Sequence, residues 1–430
     1  MERGFLKERS SGKTIYQAKR QEKMKKRADS IEQTPVAGYR VTTCEFLGRV
    51  RFDGIILLAV LSFYMVSCNK KPAQTNVFQT TPYKISVPRF FPGQLNIVAD
   101  NPLTEEGITL GRYLFYDGRM SGRTFPDSLM SCSTCHDQAH SFECGMGGAM
   151  FPNGQTYGLT GILTPHFMMP MINLAWTNHG FLWNGKVSVE NANPAMRTLE
   201  DVTWMAIVAP HEIHGDTARV AALFQTIPGY PALFMKAFGS GHVTVKNMGR
   251  AIAQFVRTLI SADSRFDRYL QGEYQMSPSE RNGYVLFMTE QGGDCFHCHG
   301  GDGNPLFTTN LFYNNGKDSI FTDPGDRSGI TGRLNDIGAY KAPTLRNLVF
   351  RPPYMHDGRY KTLDEVLKFY NSELVWSPSI SPLMHHIGTH GVKLVPGQLA
   401  DLKAFLLTLT DSSFVSNPAF SKPDKFPDGK

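Results

Sequence analysis

Apolar residues recur at helical spacing in two matching places. Met248, Ile252, Phe255 and Leu259 share one face, which predicts an amphipathic helix over Ala251–Leu259, and Asp401–Leu409 reads the same way. Two helix starts are marked by capping boxes. Ser277-Pro278-Ser279-Glu280 carries proline at the first helical position, and Thr362-Leu363-Asp364-Glu365 opens a helix through Tyr370. Strand-like alternation is scarce, and glycine and proline are common between the helical stretches. The pattern predicts a mostly α, loop-rich fold.

The two halves also echo one another. Gly111-Arg-Tyr-Leu-Phe115 matches Gly283-Tyr-Val-Leu-Phe287, and Phe181-Leu-Trp-Asn-Gly-Lys186 matches Tyr354-Met-His-Asp-Gly-Arg359. Met169–Asn173 is similarly echoed by Ala342–Asn347. These pairs predict two domains related by internal duplication. A linker is expected over 68–97, and a loosely held tail over 412–430.

The chain has 430 residues, 41% hydrophobic and 19% charged, enough for two domains with real cores. The net charge of +6 is unevenly placed. Residues 1–67 hold thirteen Lys/Arg and seven Asp/Glu, leaving 31 of each beyond. The folded part is therefore neutral, and nothing points to nucleic-acid binding. Ile55–Val66 is a twelve-residue apolar run behind Arg49 and Arg51. It is short for a span, which needs roughly 20 residues, and fits the core of an export signal. Ser67 and Cys68 follow it, so 1–67 resembles a lipoprotein signal region. The long stretch before the run suggests a misassigned start. Lipidation at Cys68 would tether the protein to a bacterial membrane from the periplasmic side.

Four of the seven cysteines form two Cys-x-x-Cys-His runs: Cys132, Cys135 and His136, then Cys295, Cys298 and His299. Each reads as a c-type haem attachment, with two thiols for the vinyl groups and the adjacent histidine as proximal iron ligand. A four-thiolate zinc site would need no histidine after each pair, and a redox dithiol would need only one copy. Cys144 is left over and reads as a partly buried free thiol.

Together these motifs resemble the bacterial di-haem cytochrome c peroxidase family, from about Asn96 to Asp411. The resemblance rests on both haem motifs and on Leu114–Arg119, Phe181–Gly185, Pro210–Glu212, Phe266–Leu270, Lys341–Asn347 and Pro353–Gly358, in this order. It implies two cytochrome c-like domains: a peroxidatic haem on His136 within 98–260, and an electron-transfer haem on His299 within 261–411. It also implies that Trp183 lies between the haems and that Glu212 is the distal catalytic carboxylate. A carboxyl with a raised pKa in a dry pocket can move the proton that O–O cleavage requires.

The chain departs from the family in places. Val202 stands where a glutamine is common. Of the two histidines that could reach the first iron from the far side, His140 and His166, neither is assigned, so that site reads as open from the start. At the second haem, register puts Tyr370 where many members have a methionine ligand, with Met384 as the fallback. The related enzyme that forms tryptophan tryptophylquinone in a precursor protein has a tyrosine there. A phenolate would lower that haem's potential relative to a thioether. Calcium between the domains is doubtful, because the positions expected to serve it hold Phe167 and Arg351.

The expected activity is reduction of hydrogen peroxide with electrons from a small cytochrome c or cupredoxin. The alternatives are oxidation of a partner protein's Trp or Tyr and a non-catalytic electron shuttle. A homodimer is the candidate assembly.

Overall fold

The computed structural model describes residues 78–145, 156–301, 303–323 and 325–430. The expected signal region and Cys68 lie outside them. The described chain is mostly helical. In order it forms α1 (Glu105–Tyr116), α2 (Cys132–Cys135), α3 (Leu199–Val208), α4 (Thr217–Thr226), α5 (Tyr230–Phe238), α6 (Val245–Arg257), α7 (Arg265–Leu270), α8 (Pro278–Phe287), α9 (Phe296–His299), α10 (Ser328–Thr331), α11 (Leu363–Ser372), α12 (Pro396–Leu407) and α13 (Ser412–Ser416). The one sheet among the described residues pairs β1 (Phe312–Tyr313) antiparallel with β2 (Tyr340–Lys341).

Both capping boxes form. The Ser277 hydroxyl accepts from the Glu280 amide while the Glu280 carboxylate accepts from the Ser277 amide, and Thr362 and Glu365 do the same. The two terminal helices of the halves begin earlier and end sooner than their apolar stripes suggest. Thr244 caps α6 by accepting from the Asn247 amide, and Pro396 occupies the first turn of α12. At the far ends the Thr258 and Thr408 hydroxyls each donate to the carbonyl three residues back, at 2.6 Å, and the helices stop there. Leu259 and Leu409 remain buried just beyond.

Two helix pairs organise the cores. α1 crosses α6 at Gly111, where an added Cβ would lie 2.0 Å from the Ala251 carbonyl oxygen. α8 crosses α12 at Gly283, where it would lie 1.9 Å from that of Asp401. Only glycine allows either approach. Around the first pair pack Leu110, Leu114, Phe115, Met248, Ile252 and Phe255; around the second pack Phe266, Phe287, Phe307, Phe405 and Leu409. Each such side chain contributes about 1.5–3 kcal/mol on burial.

The lobes close with the same device. Asn173, at φ 57°, takes an amide bond from Ser261 just after the first lobe's last helix. Asn347, at φ 61°, takes one from Asp411 just after the second's. Asn tolerates this left-handed backbone, and its side-chain carbonyl satisfies a buried donor.

The tail was expected to be loose, but it is packed. Phe414 and Phe420 bury against the first lobe's core. Arg112 donates to the Ser421 and Pro418 carbonyls, and Arg119 pairs with Asp428. The described part of the linker is likewise ordered: Ile85 and Phe91 bury beside Trp176, whose indole donates to the Pro92 carbonyl. Both segments carry aromatic or aliphatic residues that would otherwise leave apolar surface in water.

Candidate functional site

Each Cys-x-x-Cys-His run lines its own cavity. Cys132, Cys135 and His136 line the first, which encloses about 1580 Å³ of space partly continuous with solvent. Cys295, Cys298 and His299 line the second, of about 1490 Å³. The two cysteine pairs therefore do not meet in one tetrahedral zinc site, and none of the four is in a disulfide.

The histidines are set up as ligands. His136 Nδ1 lies 2.6 Å from the Phe142 carbonyl, and His299 Nδ1 lies 3.0 Å from that of Pro343. A carbonyl only accepts, so Nδ1 carries the proton and Nε2 keeps its lone pair. Burial pushes both imidazoles down to about 4, so both rings are neutral near pH 7. At the second cavity the buried Arg351 Nε has no protein partner and could serve an acidic group of a bound ligand. These features fit a covalently held haem in each cavity.

The far wall of the first cavity comes from the turn after α3. Ala209–His214 is held by backbone bonds, and Gly158 lets a neighbouring loop approach closely: a Cβ there would lie 2.0 Å from the Glu212 carbonyl oxygen. Glu212, His211, Lys186 and Val202 all line this cavity. Burial raises the Glu212 carboxyl to about 7, outweighing the Lys186 charge. His211 Nε2 sits 3.6 Å from Glu212 Oε1, and burial lowers its pKa. Val202 offers the α3 side of the wall only an apolar side chain. His140 turns to Asp137, and His166, although it lines the cavity, holds Asp323 Oδ2 at 2.6 Å through Nε2. His140 is not among the residues that line the cavity, and the His166 Nε2 is taken by Asp323.

The second cavity is closed by α11 and the turn that follows it in space. Tyr370 and Met384 both line it. The Tyr370 hydroxyl accepts from Asn315 Nδ2 at 3.0 Å, and burial raises its pKa.

Trp183, Phe167 and Lys341 line both cavities and form the partition between them. The Trp183 indole donates to the Phe167 carbonyl at 2.8 Å, and the Lys341 amide donates to the Trp183 carbonyl at 2.7 Å. His356, the echo of Trp183 in the second half, reaches the same place: its ring lies 6.4 Å from the indole and stacks on Tyr340 at 3.5 Å. Lys341 is fully buried, bonds the Gly180 carbonyl, and is lowered by burial to about 7.

His211, Lys186, Lys341, His356 and Tyr340 have no assigned role in the sequence reading. Four of them lie inside the quoted motifs, and Tyr340 adjoins one. At the positions considered for calcium, Phe167 offers an apolar side chain and its carbonyl is taken by Trp183. Arg351 places a guanidinium 3.2 Å from the buried Glu143. A guanidinium and a phenyl ring do not suit a hard oxygen-seeking cation. Cys144 is buried beside Phe167, its thiol pushed up by burial.

Residues 105–275 match the family model described as di-haem cytochrome c peroxidase. The methylamine utilization protein MauG of Methylophilus methylotrophus is 30% identical over 320 residues, 74% of this chain and 86% of that protein. The cytochrome-c peroxidase IdrP1 of Denitromonas iodatirespirans is 30% identical over 75% of this chain and 86% of its own length. Among solved structures, a MauG-like protein associated with microbial copper homeostasis superposes with a TM-score of 0.67 at 32% identity, covering 79% of this chain and 99% of that one. The diheme peroxidase BthA from Burkholderia thailandensis, at 19% identity and a TM-score of 0.60, shares the fold over 79% of this chain and 99% of its own. With its two haem-type cavities and relatives matched over most of their length, the chain belongs to the di-haem cytochrome c peroxidase family that includes MauG.

Proposed function

We propose that this protein reduces hydrogen peroxide to two waters, consuming two protons and two electrons drawn from a small periplasmic cytochrome c or cupredoxin. Family membership brings two haem c groups and chemistry of the peroxidase or MauG-oxidase type. The observation that carries the reading is the asymmetry of the cavities: a carboxyl titrating near 7 on the far wall of the first, a phenol on that of the second.

When bound at His136 and Cys132/Cys135, haem iron would supply the peroxide chemistry; at His299 and Cys295/Cys298 it would receive the donor's electrons. Glu212, ionised, takes a proton from the near peroxide oxygen and returns it to the departing one, a transfer worth roughly 10²–10⁴-fold. His211 and Lys186 keep this wall polar where Val202 does not. Trp183, buried and anchored at both its indole and its carbonyl, bridges the cavities. Tyr370, with Met384 as the alternative, would hold the iron of a haem bound in the second cavity. The export-type segment and Cys68 support a periplasmic, lipid-tethered protein, and the matching Asn173 and Asn347 closures support an origin by duplication.

The test mixes haem-loaded protein with peroxide and reduced cytochrome c. Rapid donor oxidation supports the proposal; no spectral response to peroxide refutes it in favour of an electron shuttle. A second reading, oxidation of a partner's Trp or Tyr, is favoured by Tyr370 on the second cavity. A long-lived oxidised protein that turns over donor poorly would select it.

A further inference from the structure

Among the described residues, one cluster of titratable groups at the rim of the second cavity has the layout of a metal site. Glu290 and Asp294 lie in the loop between α8 and α9, His297 lies on α9, and His385 opens the turn His385–Thr389. Donor atoms of Glu290, His297 and His385 all lie within 4.8 Å of one another, and His297 Nε2 is 3.6 Å from Glu290 Oε1. A cation bound tetrahedrally at about 2.0–2.2 Å needs ligand atoms roughly 3.4 Å apart, so a small contraction of exposed side chains would complete the shell.

The orientation of the imidazoles is the stronger argument. Asp294, its side chain 6% exposed, reaches both rings: Oδ1 lies 2.7 Å from His297 Nδ1 and Oδ2 lies 3.0 Å from His385 Nδ1. One carboxylate thus accepts from two Nδ1–H groups and turns both Nε2 lone pairs outward, the arrangement by which a second carboxylate fixes histidine tautomer around a bound metal. The backbone is arranged for it. Asp294 sits at φ 53°, a left-handed conformation Asp tolerates. His386 Nε2 donates to the Glu290 carbonyl at 2.7 Å, pinning the two segments together. The rings of His297 and His385 stand edge to face, 5.1 Å apart.

We propose that Glu290, His297 and His385, oriented by Asp294, bind one borderline divalent cation of the Zn²⁺ or Cu²⁺ type. Two imidazoles and a carboxylate suit these ions and leave a coordination position open. Asp294 and His385 also line the second cavity, so the cation would sit on its rim, beside the haem attachment at Cys295 and Cys298.

The test uses haem-loaded protein cleared of loose metal with a chelator and titrated calorimetrically with Zn²⁺, with metal content measured after desalting. One tightly held equivalent is expected. His385→Ala and Glu290→Ala should each weaken it at least tenfold, and Asp294→Asn by about 10–100-fold. Glu290→Ala, which lies outside both cavities, should keep the haem spectrum of the parent, and the exposed-site control His242→Ala should bind as the parent does. Absence of a stoichiometric Zn²⁺ site would overturn the proposal. So would unchanged affinity in both His385→Ala and Glu290→Ala, which would leave Asp294 as a partner of two histidines and nothing more.

Discussion

The two cavities share their near walls and differ in their far ones. On the near side each has a short Cys-x-x-Cys-His helix and a histidine held through Nδ1 by a backbone carbonyl. Each also rests on a glycine-mediated crossing of two helices. On the far side the first cavity takes its residues from the turn after α3, and the second from α11 and a loop beyond it. A common attachment scaffold thus carries two different environments: an acid–base wall with Glu212, and a phenol- and thioether-bearing wall with Tyr370 and Met384. The proposed division of labour would follow from what faces the attached group rather than from how it is attached.

The comparison can be broken most completely at the attachment points. Cys132→Ala with Cys135→Ala should leave one covalent haem by mass spectrometry and abolish the response to peroxide. Cys295→Ala with Cys298→Ala should also leave one haem, but lose electron entry from the donor. Identical phenotypes for the two double variants would erase the proposed asymmetry.

Stability offers a second cut. Arg346 is fully buried, forms a two-pronged pair with Asp267 at 2.6 and 2.8 Å, and ties α7 to the loop before Asn347. Arg346→Ala leaves a buried carboxylate uncompensated and should destabilise the second lobe by about 3–5 kcal/mol. Denaturant melts followed through each haem's absorption should show that lobe unfolding first.

Chemistry on the first wall is probed by Glu212→Gln, which should slow the peroxide step by about 10²–10⁴-fold without loss of haem. The sign of the pH effect follows from the titration near 7: the working base is the carboxylate, so the parent's rate should rise with pH through about 7 and level above it. The glutamine variant should lack that rise in stopped-flow profiles. Tyr370→Phe should change the low-spin spectrum of one haem and leave the other untouched; an unchanged spectrum would pass the ligand assignment to Met384. The smallest effect is expected at the partition. Trp183→Phe keeps the bulk but drops the bond to the Phe167 carbonyl, and should slow transfer between the haems by roughly tenfold, a barrier change of about 1.4 kcal/mol.

Features with a local chemical signature were legible in the chain. The haem motifs, both capping boxes and the two closing helices could be read because neighbouring residues specify them. The partition was only half legible. Trp183 stood out through a family resemblance, but Lys341 and His356 join it through contacts between the lobes, which no periodicity encodes. The tail misled for a similar reason: its proline, serine and lysine content suggested looseness, while Phe414 and Phe420 find their partners some 300 residues upstream. Val202 and Tyr370 could be named from register, but only the fold puts each on its cavity wall.

We propose above all that one chain holds two unequal haem sites. Titrating the oxidised, fully loaded protein with cyanide while recording its optical and paramagnetic resonance spectra tests it most directly. Unequal sites predict two haems per chain by mass and one equivalent of cyanide bound by the parent. Uptake of two equivalents, or of none, would contradict it.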